Sequence, residues 1–315
     1  MSKWSRLAPL GIIVAALVLI LMLGRNFFDS RLPVISSSYY KSFKSSAELE
    51  MKYSQKGPYD VKDYAMDSGD ESMGEITVWY PSVSEGEKVP MIIVVNPTMV
   101  TQVKYKAFFS RLASWGFVVV GNEDPQTGRG ESTSVTLDAM LGLVETHPLR
   151  DVIDYDKIGI VGYSQGGSGA LAAVTEYENG SNYKAIFTGS AAYPELSESM
   201  GWKYDLSKIN IPYFMCAGTG QNDDAGLDKS SEDYQGAAPL WSLEESYDAV
   251  PGTAMKIRAR ASGADHSDML LKSDGYMTAW MLYNLRGDQE AAKAFVGSGA
   301  EILNNSNWQD IEKNQ

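Results

Sequence analysis

A short apolar run, Ile158 to Val161, ends in Gly162-Tyr163-Ser164-Gln165-Gly166 and passes into the small residues Gly167, Ser168, Gly169 and Ala170. The run has the form of a buried strand, and the stretch after it has the form of a closely packed helix. A chain that turns this sharply from strand to helix needs Gly162 and Gly166, because side chains there would collide with neighbouring backbone. The turn projects the Ser164 hydroxyl above the sheet and sets it beside a helix N-terminus, whose free N–H groups favour negative charge.

The rest of the chain repeats this alternation. Strands are predicted at Ile76 to Tyr80, Pro90 to Asn96, Phe117 to Val120, Ala185 to Thr188, Pro212 to Ala217 and Met255 to Ala261. The last of these alternates Met, Ile and Ala with Lys and Arg, the pattern of a strand with one wet face. Helices are predicted at Tyr105 to Trp115, Val135 to Glu145, Gly166 to Tyr177, Tyr276 to Leu285 and Gln289 to Phe295. Strands regularly separated by helices imply an α/β domain with a mostly parallel central sheet flanked by helices, here over residues 58–315. No internal repeat is present.

The first thirty residues have a different character. Leu7 to Leu23 is almost wholly apolar, with Lys3 and Arg6 before it and Arg25 and Arg31 after it, and no small-residue cleavage pattern follows. Residues 1–31 are therefore expected to form an uncleaved signal anchor, a single N-terminal transmembrane helix that places the catalytic domain outside the cytoplasm. The Ser- and Lys-rich residues 32–57 read as a polar linker.

Composition narrows the function classes. The 315 residues carry a formal net charge of −13, and clustered Lys and Arg are missing, which argues against nucleic acid. One cysteine, Cys216, excludes an internal disulfide framework. With that single cysteine and only two histidines the chain offers little for a zinc site. Cys216 falls in a predicted strand, where packing is its expected role.

A serine hydroxyl attacks only when a base takes its proton. His266 follows the last predicted parallel strand through a short loop. His147 precedes Ser164, which is the wrong order for a triad that runs serine, acid, histidine, and it sits at a predicted helix end. The acid should follow a strand between Ser164 and His266. The loop after Pro212 to Ala217 offers Asp223, the preferred residue, and Asp224, the alternative; Asp265 adjoins the histidine, and Glu195 is a distant reserve. An oxyanion site needs two backbone N–H groups. Gln165 supplies one, and in Asn96-Pro97-Thr98-Met99 the proline has none, which leaves Thr98, with Met99 as fallback. Ala237 to Val250, with Trp241, Leu243 and Tyr247, reads equally as a cap beside the site or as a helix against the sheet.

From these residues, the region from about Tyr59 to Lys313 resembles the α/β-hydrolase superfamily, and within it the dienelactone-hydrolase-like and cutinase or polyester-hydrolase-like branch. The resemblance rests on "WYP" at Trp79 to Pro81, "LASWGFVVV" from Leu112, "IGIVGYSQGG" from Ile158, "GADHSD" from Gly263 and "TAWMLYNLRGDQEAAKAF" from Thr278. Relatives often carry histidine where this chain has Tyr163, and a glycine or aromatic oxyanion loop where it has Pro97 and Thr98. Both differences alter the acyl pocket and neither removes a catalytic group.

The resemblance implies an α/β-hydrolase fold and ester hydrolysis through an acyl-enzyme, without metal or organic cofactor. The expected enzyme is thus a membrane-anchored serine esterase acting on a small-molecule or lipid-like ester. A peptidase or acyltransferase on the same triad, and a non-catalytic binding protein on this scaffold, are the alternatives.

Overall fold

The apolar runs pair in one sheet. The computed structural model describes residues 34–315. Its strands are β1 (Val61–Asp67), β2 (Glu75–Pro81), β3 (Val89–Val95), β4 (Val118–Gly121), β5 (Ile153–Tyr163), β6 (Tyr183–Gly189), β7 (Tyr213–Gly218), β8 (Lys256–Ala261) and β9 (Trp308–Lys313). They lie in the order β1-β2-β4-β3-β5-β6-β7-β8-β9. From β4 to β8 every pairing is parallel. The β1–β2, β2–β4 and β8–β9 pairings are antiparallel.

The α-helices are α1 (Glu48–Ser54), α2 (Lys106–Ala113), α3 (Glu131–Leu141), α4 (Gln165–Thr175), α5 (Pro194–Ser199), α6 (Leu240–Ala249), α7 (Met269–Lys272), α8 (Asp274–Met281) and α9 (Gln289–Ala292). They cover both faces, which explains the continuous apolar character of the central strands. In β3, Ile92 and Val94 enter a core with Phe108 and Phe109 of α2 and Trp280 of α8. Met91, Ile93 and Val95 enter the opposite core with Leu137 and Met140 of α3 and Leu171 of α4. Each fully buried side chain of this kind stabilises the fold by about 2 kcal/mol relative to leaving it in water.

Three local expectations change. Helix α3 starts at Glu131, ahead of the predicted Val135, because Gly130 at φ 75° turns the chain into the helix early. The edge strands β1 and β9 carry no clear apolar alternation and were not predicted; their faces are largely open. The expected wet face of β8 is covered. Arg260 pairs with Asp310 of β9 at 2.7 Å, and Lys256 Nζ donates to the carbonyls of Tyr247 and Val250 at 2.6 and 2.8 Å.

The stretch expected as a polar linker is folded onto the domain. Tyr39 and Tyr53 are buried in the core that holds α8. Arg111 Nε donates to Tyr39 Oη at 3.0 Å and its Nη1 to the Tyr53 carbonyl at 2.7 Å, while Tyr39 Oη donates to Asp274 at 2.8 Å. Arg111 and Asp274 form a buried ion pair. A buried guanidinium requires partners for its donors, and two of those named, Tyr39 Oη and the Tyr53 carbonyl, come from the segment itself.

The single-pass membrane assignment is corrected. Among the described residues no helix is long and apolar enough to cross a membrane. The expected span, Leu7 to Leu23, lies outside the described residues, so the placement of a catalytic domain on the far side of a bilayer has no support.

Candidate active site

Ser164 stands between β5 and α4 with φ 55° and ψ −129°, a left-handed backbone that costs about 1–3 kcal/mol for a residue with a side chain. Backbone hydrogen bonds hold it: Ser164 N donates to the Gly189 carbonyl at 2.9 Å, and the Ser164 carbonyl accepts from Gly167 N at 2.8 Å and Ser168 N at 3.4 Å. The flanking glycines are steric necessities. A Cβ on Gly162 would lie 2.0 Å from the Gly166 carbonyl oxygen, and one on Gly166 would lie 2.2 Å from that of Val95. Gly162→Ala is expected to destabilise the fold by about 3 kcal/mol, as overpacking against rigid backbone does; urea unfolding measures it.

The loops after β7 and β8 are knit together. Thr219 N and Gly220 N both donate to the Ala264 carbonyl, at 2.9 and 2.8 Å. Asn222 donates to Asp265 through its backbone N–H at 2.9 Å and its side chain at 2.6 Å. Asp265 also accepts from His266 N at 2.8 Å. The donation from His266 N is the main cause that holds the Asp265 carboxyl below its ordinary pKa, and the Asn222 donors add to it. Asp265 thus fixes the loop from which the His266 ring projects, and its carboxylate is occupied by that task.

Across this junction His266 Nδ1 lies 2.6 Å from Asp223 Oδ1, and His266 Nε2 lies 2.8 Å from Ser164 Oγ. Asp223 is fully buried. Its other oxygen accepts from Ser190 Oγ at 2.5 Å and from Gly218 N at 2.6 Å, so both carboxylate oxygens are engaged and the group is held against rotation. Asp224 is turned to the opposite side. It pairs with Arg260 and accepts from Gly226 N at 2.9 Å. Glu195 pairs with Lys229 at 3.4 Å, and His147 accepts from Leu149 N at 3.2 Å through Nδ1. Cys216 is buried; burial foremost, and the nearby Asp223 next, push its thiol well above the ordinary value, which keeps it an inert packing residue.

Gln165 is the first residue of α4, where backbone N–H groups have no helical partner. Thr98 and Met99 form a turn closed by Val100 N donating to the Pro97 carbonyl at 3.1 Å. Met99 N is engaged with the Pro125 carbonyl at 3.0 Å, which removes it as a free donor; for Thr98 N no acceptor is present among the described residues.

Thr98, Gln165, Ser164 and His266 line one cleft of about 390 Å³. Its walls come from Leu196, Met200, Trp202 and Tyr234. These wall residues carry no recognisable motif; Gly128 packs against the Trp202 ring, where a Cβ would collide with it. Of the segment read as a cap or a helix, only Ala237 reaches the cleft, while Leu243 and Tyr247 of α6 pack against the sheet. Among the described residues no group of three or more His, Cys, Asp or Glu side chains is arranged to hold a metal.

A family model described as PET hydrolase-like (PETase) matches residues 43–220, which include Thr98, Ser164 and Gln165 and end before Asp223 and His266. Lipase 1 of Moraxella sp. (strain TA144) is 29% identical over 149 residues, 46% of this chain and 47% of the relative. The bis(hydroxyethyl) terephthalate hydrolase of Streptomyces coelicolor is 29% identical over 124 residues, 38% of this chain and 39% of the relative. The chain therefore spans about half or less of the length of these curated relatives. The family match covers more than half of the 315 residues and coincides with the mostly parallel α/β fold, so the chain belongs to the PET hydrolase-like family of the α/β-hydrolase superfamily.

Proposed function

We propose that the protein hydrolyses carboxylic esters through a serine–histidine–aspartate triad. The observation that carries this reading is the unbroken contact from Ser164 Oγ through the His266 ring to the buried Asp223, with Ser164 and His266 lining an open cleft. A carboxylate only accepts hydrogen bonds, so His266 Nδ1–H donates to Asp223 and Nε2 is left to accept the Ser164 proton. Ser164 attacks the ester carbonyl as Nε2 takes that proton, and Asp223 stabilises the imidazolium. The carbonyl oxygen gains a negative charge beside the N–H groups of Gln165 and Thr98. His266 then protonates the departing alcohol, and water, activated by the same imidazole, releases the acid from Ser164.

Family membership and relatives named for a lipase and a terephthalate-ester hydrolase favour esters over the alternatives. The cleft supports the same preference: Leu196, Met200 and Trp202 offer apolar contact to an acyl or aryl group, and Met200 and Tyr234 at its edge are more than half exposed. A peptidase or acyltransferase uses the same groups, so substrates decide. Rates on p-nitrophenyl esters of increasing chain length, a peptide p-nitroanilide, and an ester with added alcohol acceptor separate the three. Ester turnover is expected to exceed peptide turnover by about 10³ or more, since the anilide is the harder leaving group to expel; faster peptide cleavage, or products dominated by transfer to the alcohol, contradicts the proposal.

A further inference from the structure

Of the two donors of the oxyanion site, Thr98 sits in the turn after β3 and Gln165 at the start of α4, whose Gly166 packs against the Val95 and Asn96 carbonyls at the end of β3. The turn is strained and poorly anchored by packing. Met99 has φ 58°, a conformation unfavourable for a residue with a side chain, and it is 58% exposed. The loop after β4 and Lys104, whose Nζ donates to the Met99 carbonyl at 3.2 Å, hold it. Met99 N donates to the Pro125 carbonyl at 3.0 Å, and Gln126 Nε2 lies 3.6 Å from Met99 Sδ, a weak acceptor. The same loop is bound to the base of the turn, where Asn96 Nδ2 donates to the carbonyls of Asn122 and Asp124 at 2.8 and 2.9 Å.

The loop also reaches the second donor. Gln165 Nε2 donates to Gln126 Oε1 at 3.1 Å, while Gln165 Oε1 is buried without a partner. The Gln165 side chain, 2% exposed, therefore has Gln126 as its single hydrogen-bonding anchor among the described residues. Gln126 itself is exposed and contributes nothing to either core. One amide thus touches the residue on each side of the oxyanion site, and both contacts run from an otherwise dispensable surface side chain.

From this geometry we propose that Gln126 is a positioning residue, which holds the Thr98–Met99 turn and the Gln165 helix start at the separation that binds the oxyanion. The proposal rests on the ester-hydrolase reading above. It requires an effect on the transition state, with little effect on ground-state binding or on stability.

The test uses the full chain with p-nitrophenyl butyrate, and kcat is referred to active sites titrated with a serine-directed phosphonate, so that misfolded protein does not count. Gln126→Met, which keeps the volume and removes the amide, is expected to lower kcat about tenfold with KM held within about twofold, as a small misplacement of catalytic groups does. Gln165→Met, which keeps the backbone N–H, is expected to do the same. The double variant is expected to lie within about threefold of either single one, because both remove one shared contact. The proposal is overturned if Gln126→Met retains kcat within twofold, if the loss falls on KM, or if the two losses multiply. Ser164→Ala in parallel separates the two claims: if it is inactive while Gln126→Met is normal, only the positioning role fails, whereas an active Ser164→Ala removes the reading beneath it.

Discussion

Ser164→Ala is expected to reduce ester turnover by about 10⁶-fold, the size of loss seen when a triad nucleophile is removed, and to leave stability unchanged or slightly altered. The reasoning starts from position. Ser164 Oγ is the one hydroxyl within hydrogen-bond reach of His266 Nε2 among the described residues, and its backbone is held at φ 55° between two steric glycines. Alanine retains the Cβ and the turn, so the cleft walls and the Thr98 and Gln165 donors remain. Residual activity then measures what the oxyanion site and binding contribute without a nucleophile. Initial rates on p-nitrophenyl butyrate, with thermal unfolding as the control for folding, give the answer.

The second large effect separates two neighbouring carboxylates. Asp223→Asn is expected to lower kcat about 10⁴-fold. Asparagine keeps the shape, but its NH₂ has no ionised acceptor to offer an imidazolium, and the Ser190 Oγ and Gly218 N donors that now converge on Oδ2 impose the orientation of the amide. Asp224→Asn is expected to keep kcat within about threefold and to cost about 1–3 kcal/mol of stability, because it weakens a partly buried contact to Arg260, whose guanidinium retains Asp310. Rate and unfolding free energy measured on both variants should therefore move in opposite columns. A rate collapse in Asp224→Asn with a normal Asp223→Asn would exchange the two assignments.

How much of this was readable beforehand depends on how local each cause is. The strand, turn and helix around Ser164 are specified within a dozen neighbouring residues, and the glycines there state their own steric reason. His266 could be singled out as the candidate base because only two histidines exist and only one follows the loop that bears Asp223 and Asp224. The choice between Asp223 and Asp224 was not local. Asp224 is drawn off by Arg260 on β8, and Asp223 is drawn in by Gly218 and by Ser190 on the loop after β6. Neither partner can be read from the order of two adjacent aspartates.

The same distinction explains the fold. Continuous apolar runs marked the central strands because helices cover both of their faces. β1 and β9 lack that signature since one or both faces meet water. Residues 39–54 read as polar because serines and lysines outnumber the two tyrosines that matter, and those tyrosines are held by Arg111 and Asp274, which are distant in the chain. The cleft walls were the least legible part. Trp202 and Tyr234 come from excursions between strands, where no periodicity announces which side chain faces a substrate.

The most direct test of the central claim is intact-mass and peptide mapping after treatment with a serine-directed phosphonate, run beside the ester assay. The account predicts one adduct per chain, carried on the peptide containing Ser164, with ester turnover lost in proportion to labelling and no adduct in Ser164→Ala. Full labelling at Ser164 with undiminished turnover, or loss of turnover with the adduct on another residue, would contradict it.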